Sequence, residues 1–564
     1  MAVDGGIGGG PGAAWGAARR ILPAMRALLV LLIGCANPSI LTPEPPPAEA
    51  ISVGRSIDAQ LSSKASVRYR IALAKDQVAR GVVQQDGIDV IITTFDPSGK
   101  KLGEFDSPNG DHGPEPFLVV GSDAGAYDID VHGFPEPDGK VFSGKIHTSV
   151  AEVLTRDAYE DGELAKQVDS PRVRALFREL RHHTPGAADA FWKQLQGHSP
   201  IIEPYPGDPG SALATWIMQS KQPYVGLVGG PAVRENPMVR IADSDLFYLS
   251  ARVPADARLQ YGFIPDALPP NFHEPFAKDR GPGRFARMEA DPNNARNERG
   301  FSVAELPGLA PASLSVARPS AAKGTLTEIQ IDSAAMKEKR RVGIYTPPGY
   351  DPKQTYPLVI AFDGEIYGLP PFPPTIALPT ILDNLIADKK LPPVVAAIVA
   401  NQGTRDRDLP GSLPFADFIA GELVPRVRVE YHAGLVPAQT LVTGSSFGGL
   451  ASTFIAFHHS DVIGLVLSNS GSYQYSGQID HDVADYAEGG PLIHDYLASP
   501  KLPIRLYMDC GVFEDKLRDA NRHFRDLLRA KGYDLTYREF SGSHDYGEWQ
   551  RTIADGLVAL LVAT

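Results

Sequence analysis

Six short, largely apolar runs in the last third of the chain leave little choice of architecture. Arg341-Val342-Gly343-Ile344-Tyr345, Leu358 to Phe362, Val394 to Ala400, Thr440 to Val442, Ile463 to Leu467 and Ile504 to Met508 each have the length of a strand and little polar surface on either face. Most are separated by segments with helical spacing, at 375–388, 413–428 and 517–530. Strands buried on both faces and alternating with helices make a mostly parallel sheet covered on both sides. A chain of 564 residues holds this domain and others besides.

The same region carries a set of reactive residues. Gly444-Ser445-Ser446-Phe447-Gly448 follows the run ending at Val442 and precedes the helix-compatible stretch Leu450 to His458, so Ser446 sits at a strand–turn–helix elbow that exposes its hydroxyl. A serine hydroxyl needs a base to take its proton and an acid to hold that base in the right tautomer. In such sheets the acid follows one late strand and the histidine the next. Strand 504–508 leads into Asp509-Cys510-Gly511-Val512-Phe513-Glu514-Asp515, and Leu535 to Phe540 leads into Ser541-Gly542-Ser543-His544-Asp545. His544 is the expected base, whereas His523 falls on the amphipathic stretch 517–530 as a solvated helix residue. Glu514, three residues after Gly511, is the preferred acid, with Asp515 and Asp509 as alternatives. An oxyanion requires preorganised donors, expected from the N–H of Phe447 and from the loop Asp363-Gly364-Glu365 after the early strand.

Composition excludes other chemistries. A net charge of −13 supplies no basic surplus for phosphate backbones, so nucleic acid is not an expected partner. With only Cys35 and Cys510 there is neither a disulfide framework nor a thiolate cluster, and no metal or cofactor is expected.

Upstream the grammar changes. Arg19, Arg20 and Arg26 precede the apolar run Ala27 to Ile33 and Gly34-Cys35, which is too short to span a bilayer but fits a secretory signal. Leu32-Ile33-Gly34-Cys35 resembles a bacterial lipobox, making Cys35 the expected lipidation site, with a proline-rich tether through Pro43, Pro45, Pro46 and Pro47. The expected location is therefore lipid-anchored in the periplasm or at the outer membrane, with a soluble periplasmic or secreted protein as the alternative. Residues 51–150 alternate over Val67 to Leu73, Ile88 to Phe95 and Ala126 to Val131, which predicts a small β-sandwich. Its Asp-Pro-Ser-Gly turn at 96–99 and Gly125-Ala126-Tyr127 resemble the bacterial pre-peptidase C-terminal-like modules. Residues 170–200 have helical spacing, and strand-like runs then reach Tyr261 to Pro265. Residues 265–305, rich in Pro, Asn and Arg, are expected to form a link.

Several motifs together resemble the enterochelin (ferric enterobactin) esterase family. They are Asp363-Gly364, Arg405 with Asp408-Leu409-Pro410, Glu422 to Pro425, the GSSFGG of 444–449, the SNSGSY of 468–473 and the GSHD of 542–545. Tyr261 to Pro265, Asp291 to Asn294 and Ser302 to Pro307 resemble that family's N-terminal sandwich and connector. The resemblance covers roughly 165–564 and implies a second sandwich with its connector at 165–310 and an α/β-hydrolase at 311–564; the signal and tether at 1–50 and the accessory sandwich at 51–150 are additions to that family's pattern and complete a multidomain chain. The resemblance also implies hydrolysis of a catecholate siderophore trilactone, a small-molecule ester met as the ferric complex, by Ser446, His544 and Glu514. Arg405 and Tyr473 would contact the substrate. A secreted acetyl or feruloyl esterase is the alternative, and a surface-binding protein with an inactive hydrolase domain is the alternative of another class.

Overall fold

The structure, a computed structural model, describes residues 46–135, 140–231, 236–265, 288–371, 373–476 and 489–562. The expected signal, Cys35 and most of the tether lie outside the described residues. The chain forms two compact units, Met1–Thr155 and Arg156–Thr564.

In the first unit a five-stranded and a four-stranded sheet close over one core. The strand period of two explains the sorting. Along Ser66–Leu73, Tyr69 and Ile71 point inward, while Arg68 and Arg70 face out and form cross-strand ion pairs with Asp130 and Asp128 on Gly125–Gly133. The opposite sheet contributes Leu61, Val83, Phe117, Val119 and Ile146.

The second unit opens with three helices, Arg156–Ala165, Pro171–Arg181 and Ala187–Gln194. Ser170 caps the second by accepting from Val173 N–H. Val173, Leu176, Phe191 and Leu195 pack on the outer face of a four-stranded sheet through Ile217 and Tyr248. The inner face of that sheet, led by Trp216 and Phe247, meets a five-stranded sheet through Leu259, Tyr261 and Phe263. Residues 265–305 are not merely a link. Phe301–Glu305 pairs antiparallel with Arg258–Ile264 and places Val303 and Ala304 in the interior, so a distant partner strand makes a core element of a polar stretch.

The remainder is an eight-stranded sheet, whose strands are numbered here β1 Thr325–Ser333, β2 Glu338–Thr346, β3 Leu358–Ala361, β4 Val395–Val399, β5 Thr440–Ser445, β6 Leu465–Asn469, β7 Arg505–Gly511 and β8 Asp534–Phe540. Their spatial order is β1-β2-β4-β3-β5-β6-β7-β8, antiparallel over β1, β2 and β4 and parallel from β4 onward. Every residue of β3, β4 and β5 is buried, as strands covered on both faces require. The helices that matter to the site are α1 Phe447–His458, α2 Asp515–Ala530 and α3 Tyr546–Leu561, each leaving the carboxyl end of a parallel strand. In open α/β sheets that edge is where ligands collect.

Candidate active site

Ser446 joins β5 to α1 with φ 59° and ψ −117°, a left-handed backbone that is strained for any residue with a side chain. The strain is held from both sides: Ser446 N–H donates to Asn469 O at 3.0 Å, and Ser446 O accepts from Ser472 N–H at 3.1 Å. The elbow's glycines serve close approach, since a Cβ on Gly444 would lie 2.7 Å from the backbone of Gly448. Ser446 is partly exposed, and its Oγ lies 3.2 Å from Ser472 Oγ.

His544 Nδ1 is 2.7 Å from Glu514 Oε2, and the Glu514 carboxylate is fully buried. The other oxygen of Glu514 accepts from Ser470 Oγ at 2.5 Å and Gly511 N–H at 2.7 Å. Trp549 Nε1 donates to Ser470 Oγ at 2.8 Å, and its ring stands perpendicular to the His544 imidazole with centroids 4.7 Å apart. The two other carboxylates of this segment are placed differently. Both oxygens of Asp509 accept from Asn469 Nδ2 at 2.9 Å, and burial pushes this acid up to about 7. Asp515 opens α2 at φ 46°. His523 is exposed on the same helix.

The motif Ser468 to Tyr473 is the bracket of this site. Asn469 holds Asp509, Ser470 holds Glu514, Gly471 O accepts from Asn521 Nδ2, and Ser472 meets Ser446. Tyr473 does not face a substrate. It is wholly buried against Phe524, with its hydroxyl 2.7 Å from Ser468 Oγ and from Thr453 Oγ1, because its ring completes the core between α1 and α2. The aromatic residue beside the elbow is Tyr475, edge-on to Phe447 at 5.0 Å.

Phe447 opens α1 and Gly364 opens the short helix Gly364–Tyr367, so their N–H groups precede any intrahelical acceptor. The two turns lie side by side, since a Cβ on Gly448 would be 3.3 Å from Asp363 Oδ2. Gly364 is required by β4, whose Val399 carbonyl would lie 2.8 Å from a Cβ there. The Glu365 carboxylate accepts from Asn401 N–H at 2.9 Å and Gln402 N–H at 3.3 Å, tying this turn to the next loop.

Arg405 Nε donates to the buried Asp363 at 2.6 Å, Nη2 reaches its second oxygen at 3.3 Å, and the guanidinium lies 5.3 Å from the Phe447 ring centroid. Its charge is thus balanced from within the protein. A cavity of about 560 Å³ beside it is bordered by Asp363, Glu365, Asn401, Arg405, Arg407 and Tyr546.

An elbow serine on a β5–α1 turn, with an acid and a histidine after β7 and β8 of this sheet order, defines the α/β-hydrolase class. Residues 333–560 match the "Putative esterase" family and residues 227–315 match "Enterochelin esterase, N-terminal". With both parts in that order, the chain is similar to the enterochelin esterases and is a carboxylic ester hydrolase. It is 28% identical over 345 residues to an iron(III) enterobactin esterase of Escherichia coli O6:H1, covering 57% of this chain and 81% of the relative. It is 27% identical over 413 residues to one from Dickeya dadantii, covering 66% and 93%. The crystal structure of a ferric enterobactin esterase from Salmonella typhimurium shares the fold, with TM-score 0.52 and 24% identity over 66% of this chain and 98% of that one.

Proposed function

We propose that the protein is a serine esterase that opens the ester bonds of a catecholate siderophore trilactone, free or carrying ferric iron as cargo. The observation that carries the reaction type is the buried Glu514 at 2.7 Å from His544 on the same sheet edge as the strained Ser446 elbow. Glu514 fixes the imidazole with its Nδ1–H toward the acid, leaving Nε2 to take the Ser446 proton as Oγ bonds to the ester carbon. The oxyanion is met by N–H groups of Phe447 and of the Gly364-Glu365 turn. His544 then returns the proton to the leaving seryl hydroxyl. Water attacks the acyl-enzyme in the mirror sequence and releases the acid.

The substrate class rests on the names of the curated relatives, which include enterobactin and salmochelin esterases. The 560 Å³ cavity beside Arg405 and the Asp363–Glu365 turn is within the range of small-molecule sites and is assigned to one arm of the substrate. Residues 51–150 are read as an accessory sandwich, and Cys35 as the anchor of an exported lipoprotein, which mass spectrometry of the mature N-terminus tests. The decisive experiment is hydrolysis of enterobactin and its ferric complex by wild type and Ser446→Ala. Loss of turnover by about 10⁴-fold or more is expected. Undiminished hydrolysis by the variant, or turnover of feruloylated and acetylated sugars alone, would overturn the reading.

A further inference from the structure

Both loops that carry the acid and the base rest on the second sandwich rather than on the hydrolase domain alone. Phe513, immediately before Glu514, packs against the sandwich core that includes Trp216 and Phe263. Arg258, at the start of Arg258–Ile264, makes a short parallel bridge to Gly542 and donates its N–H to Ser541 O at 3.1 Å. Its side chain, 3% exposed, passes under the histidine loop. Nη1 donates to Asp545 Oδ1 at 2.6 Å and Nη2 to Glu298 Oε2 at 2.6 Å. Asp545 is the residue after His544, and the same Oδ1 caps α3 by accepting from Gly547 N–H at 2.8 Å. A Cβ on Gly547 would fall on the guanidinium, so the first turn of α3 sits directly against it. The two loops are also joined to each other, Phe513 N–H donating to Gly542 O at 3.2 Å.

We propose that Arg258, a residue of the sandwich, is a positioning residue for ester hydrolysis, clamping Ser541–Asp545 so that the His544 imidazole is held against Glu514. The proposal rests on His544 being the base. A salt bridge that served stability alone would not need to bind both backbone and side chain of the loop that bears the histidine. The geometry gives Arg258 a grip on each side of His544, through Ser541 O before it and Asp545 after it. A displacement of about 1 Å at a reacting group costs on the order of 100-fold in rate.

The test uses the full chain, with p-nitrophenyl butyrate as the probe and Arg258→Met, Arg258→Lys and the double variant Arg258→Met/Asp545→Asn. In Arg258→Met, kcat is expected to fall about 10- to 100-fold with KM within about twofold, because binding is untouched while the base is misplaced. The acid limb of the pH profile is expected to move up, since the Asp545 carboxylate beside His544 loses its counter-cation. The groups that face this cluster are Glu298, Glu305 and Arg296 from the sandwich, Glu548 and Arg551 on α3, and Glu514 on the histidine itself. Arg258→Lys, which cannot span both carboxylates, is expected to be intermediate. The double variant keeps a good helix cap and removes both buried charges, so it is expected to regain melting temperature and the wild-type acid limb while kcat stays depressed. It decides the matter if Arg258→Met fails to fold. A wild-type kcat in any folded Arg258→Met background, a kcat that recovers together with melting temperature, or a loss confined to KM overturns the proposal. Ser446→Ala run alongside separates the two readings: if it remains active the serine mechanism has failed, and if it is dead while the Arg258 variants turn over normally the clamp has failed.

Discussion

Replacing Glu548 by Gln should make the protein more stable, and increasingly so as pH rises. Glu548 is 3% exposed on the first turn of α3, and its Oε1 has no hydrogen-bond partner among the described residues. Burial, reinforced by the neighbouring Asp545 and opposed by Arg258 and Arg551, pushes this acid from the ordinary 4.5 up to about 8. The folded protein therefore keeps the proton across a range in which the unfolded chain has released it. Stability from this group is fully present below the unfolded value and is lost as pH rises toward the folded one. At about pH 7 the unfolded chain has passed its own value by two and a half units at ~1.4 kcal/mol each, a penalty of about 3 kcal/mol, against about 1 kcal/mol at about pH 5. The neutral amide of Glu548→Gln carries none of it. Urea unfolding followed through loss of esterase activity, in wild type and variant at both pH values, measures the gap. A gap that stays constant from pH 5 to pH 8, or that shrinks with rising pH, refutes the assignment of a proton to Glu548 in the folded state.

Tyr473→Phe should leave kcat and KM within about twofold of wild type while lowering stability by about 1–3 kcal/mol, because two buried hydroxyls lose their partner; steady-state kinetics beside a melting curve checks both halves. Arg405→Ala strips the buried Asp363 of its counter-ion and should cost about 2 kcal/mol of stability, less than a fully buried pair because the arginine is partly exposed. It should also lower kcat/KM on a neutral ester and on the ferric siderophore by the same factor, since the guanidinium charge is already answered by Asp363. A loss confined to the anionic complex would show instead that Arg405 binds substrate directly.

How much of this was legible in the sequence depends on where each element finds its partners. Strands β3, β4 and β5 are buried on both faces, so their apolar runs carry the signal themselves. The edge strand β1 goes unseen because only Ile331 and Ser333 of its nine residues are buried. Phe301–Glu305 is similar: three buried residues, only two of them apolar, in a polar setting become a strand only through antiparallel pairing with Arg258 to Tyr261, some forty residues earlier. Helix Arg156–Ala165 buries Leu164 alone and has no apolar stripe to read.

The site divides along the same line. Ser446 and His544 could be found because their chemistry demands a position after particular strands, and strand ends are visible in sequence. Among three carboxylates within seven residues, at 509, 514 and 515, spacing from Gly511 favours Glu514 but does not exclude the other two. What separates them is which donors arrive from elsewhere: Asn469 occupies both oxygens of Asp509, whereas Ser470 and Gly511 N–H leave one oxygen of Glu514 free to face His544. The two side-chain donors, Asn469 and Ser470, sit in one hexapeptide whose side chains serve acid, base-side serine and core. A motif of that kind is conspicuous as letters, but its last residue, Tyr473, can be sorted into core or cavity only once α2 brings Phe524 against it. Arg258 is harder still, since 287 residues separate it from Asp545 and nothing in its own strand distinguishes it from a solvent-facing arginine. Groups that perform chemistry are thus constrained by local geometry and are readable, whereas groups that hold them in place are defined by contacts that exist only in the fold.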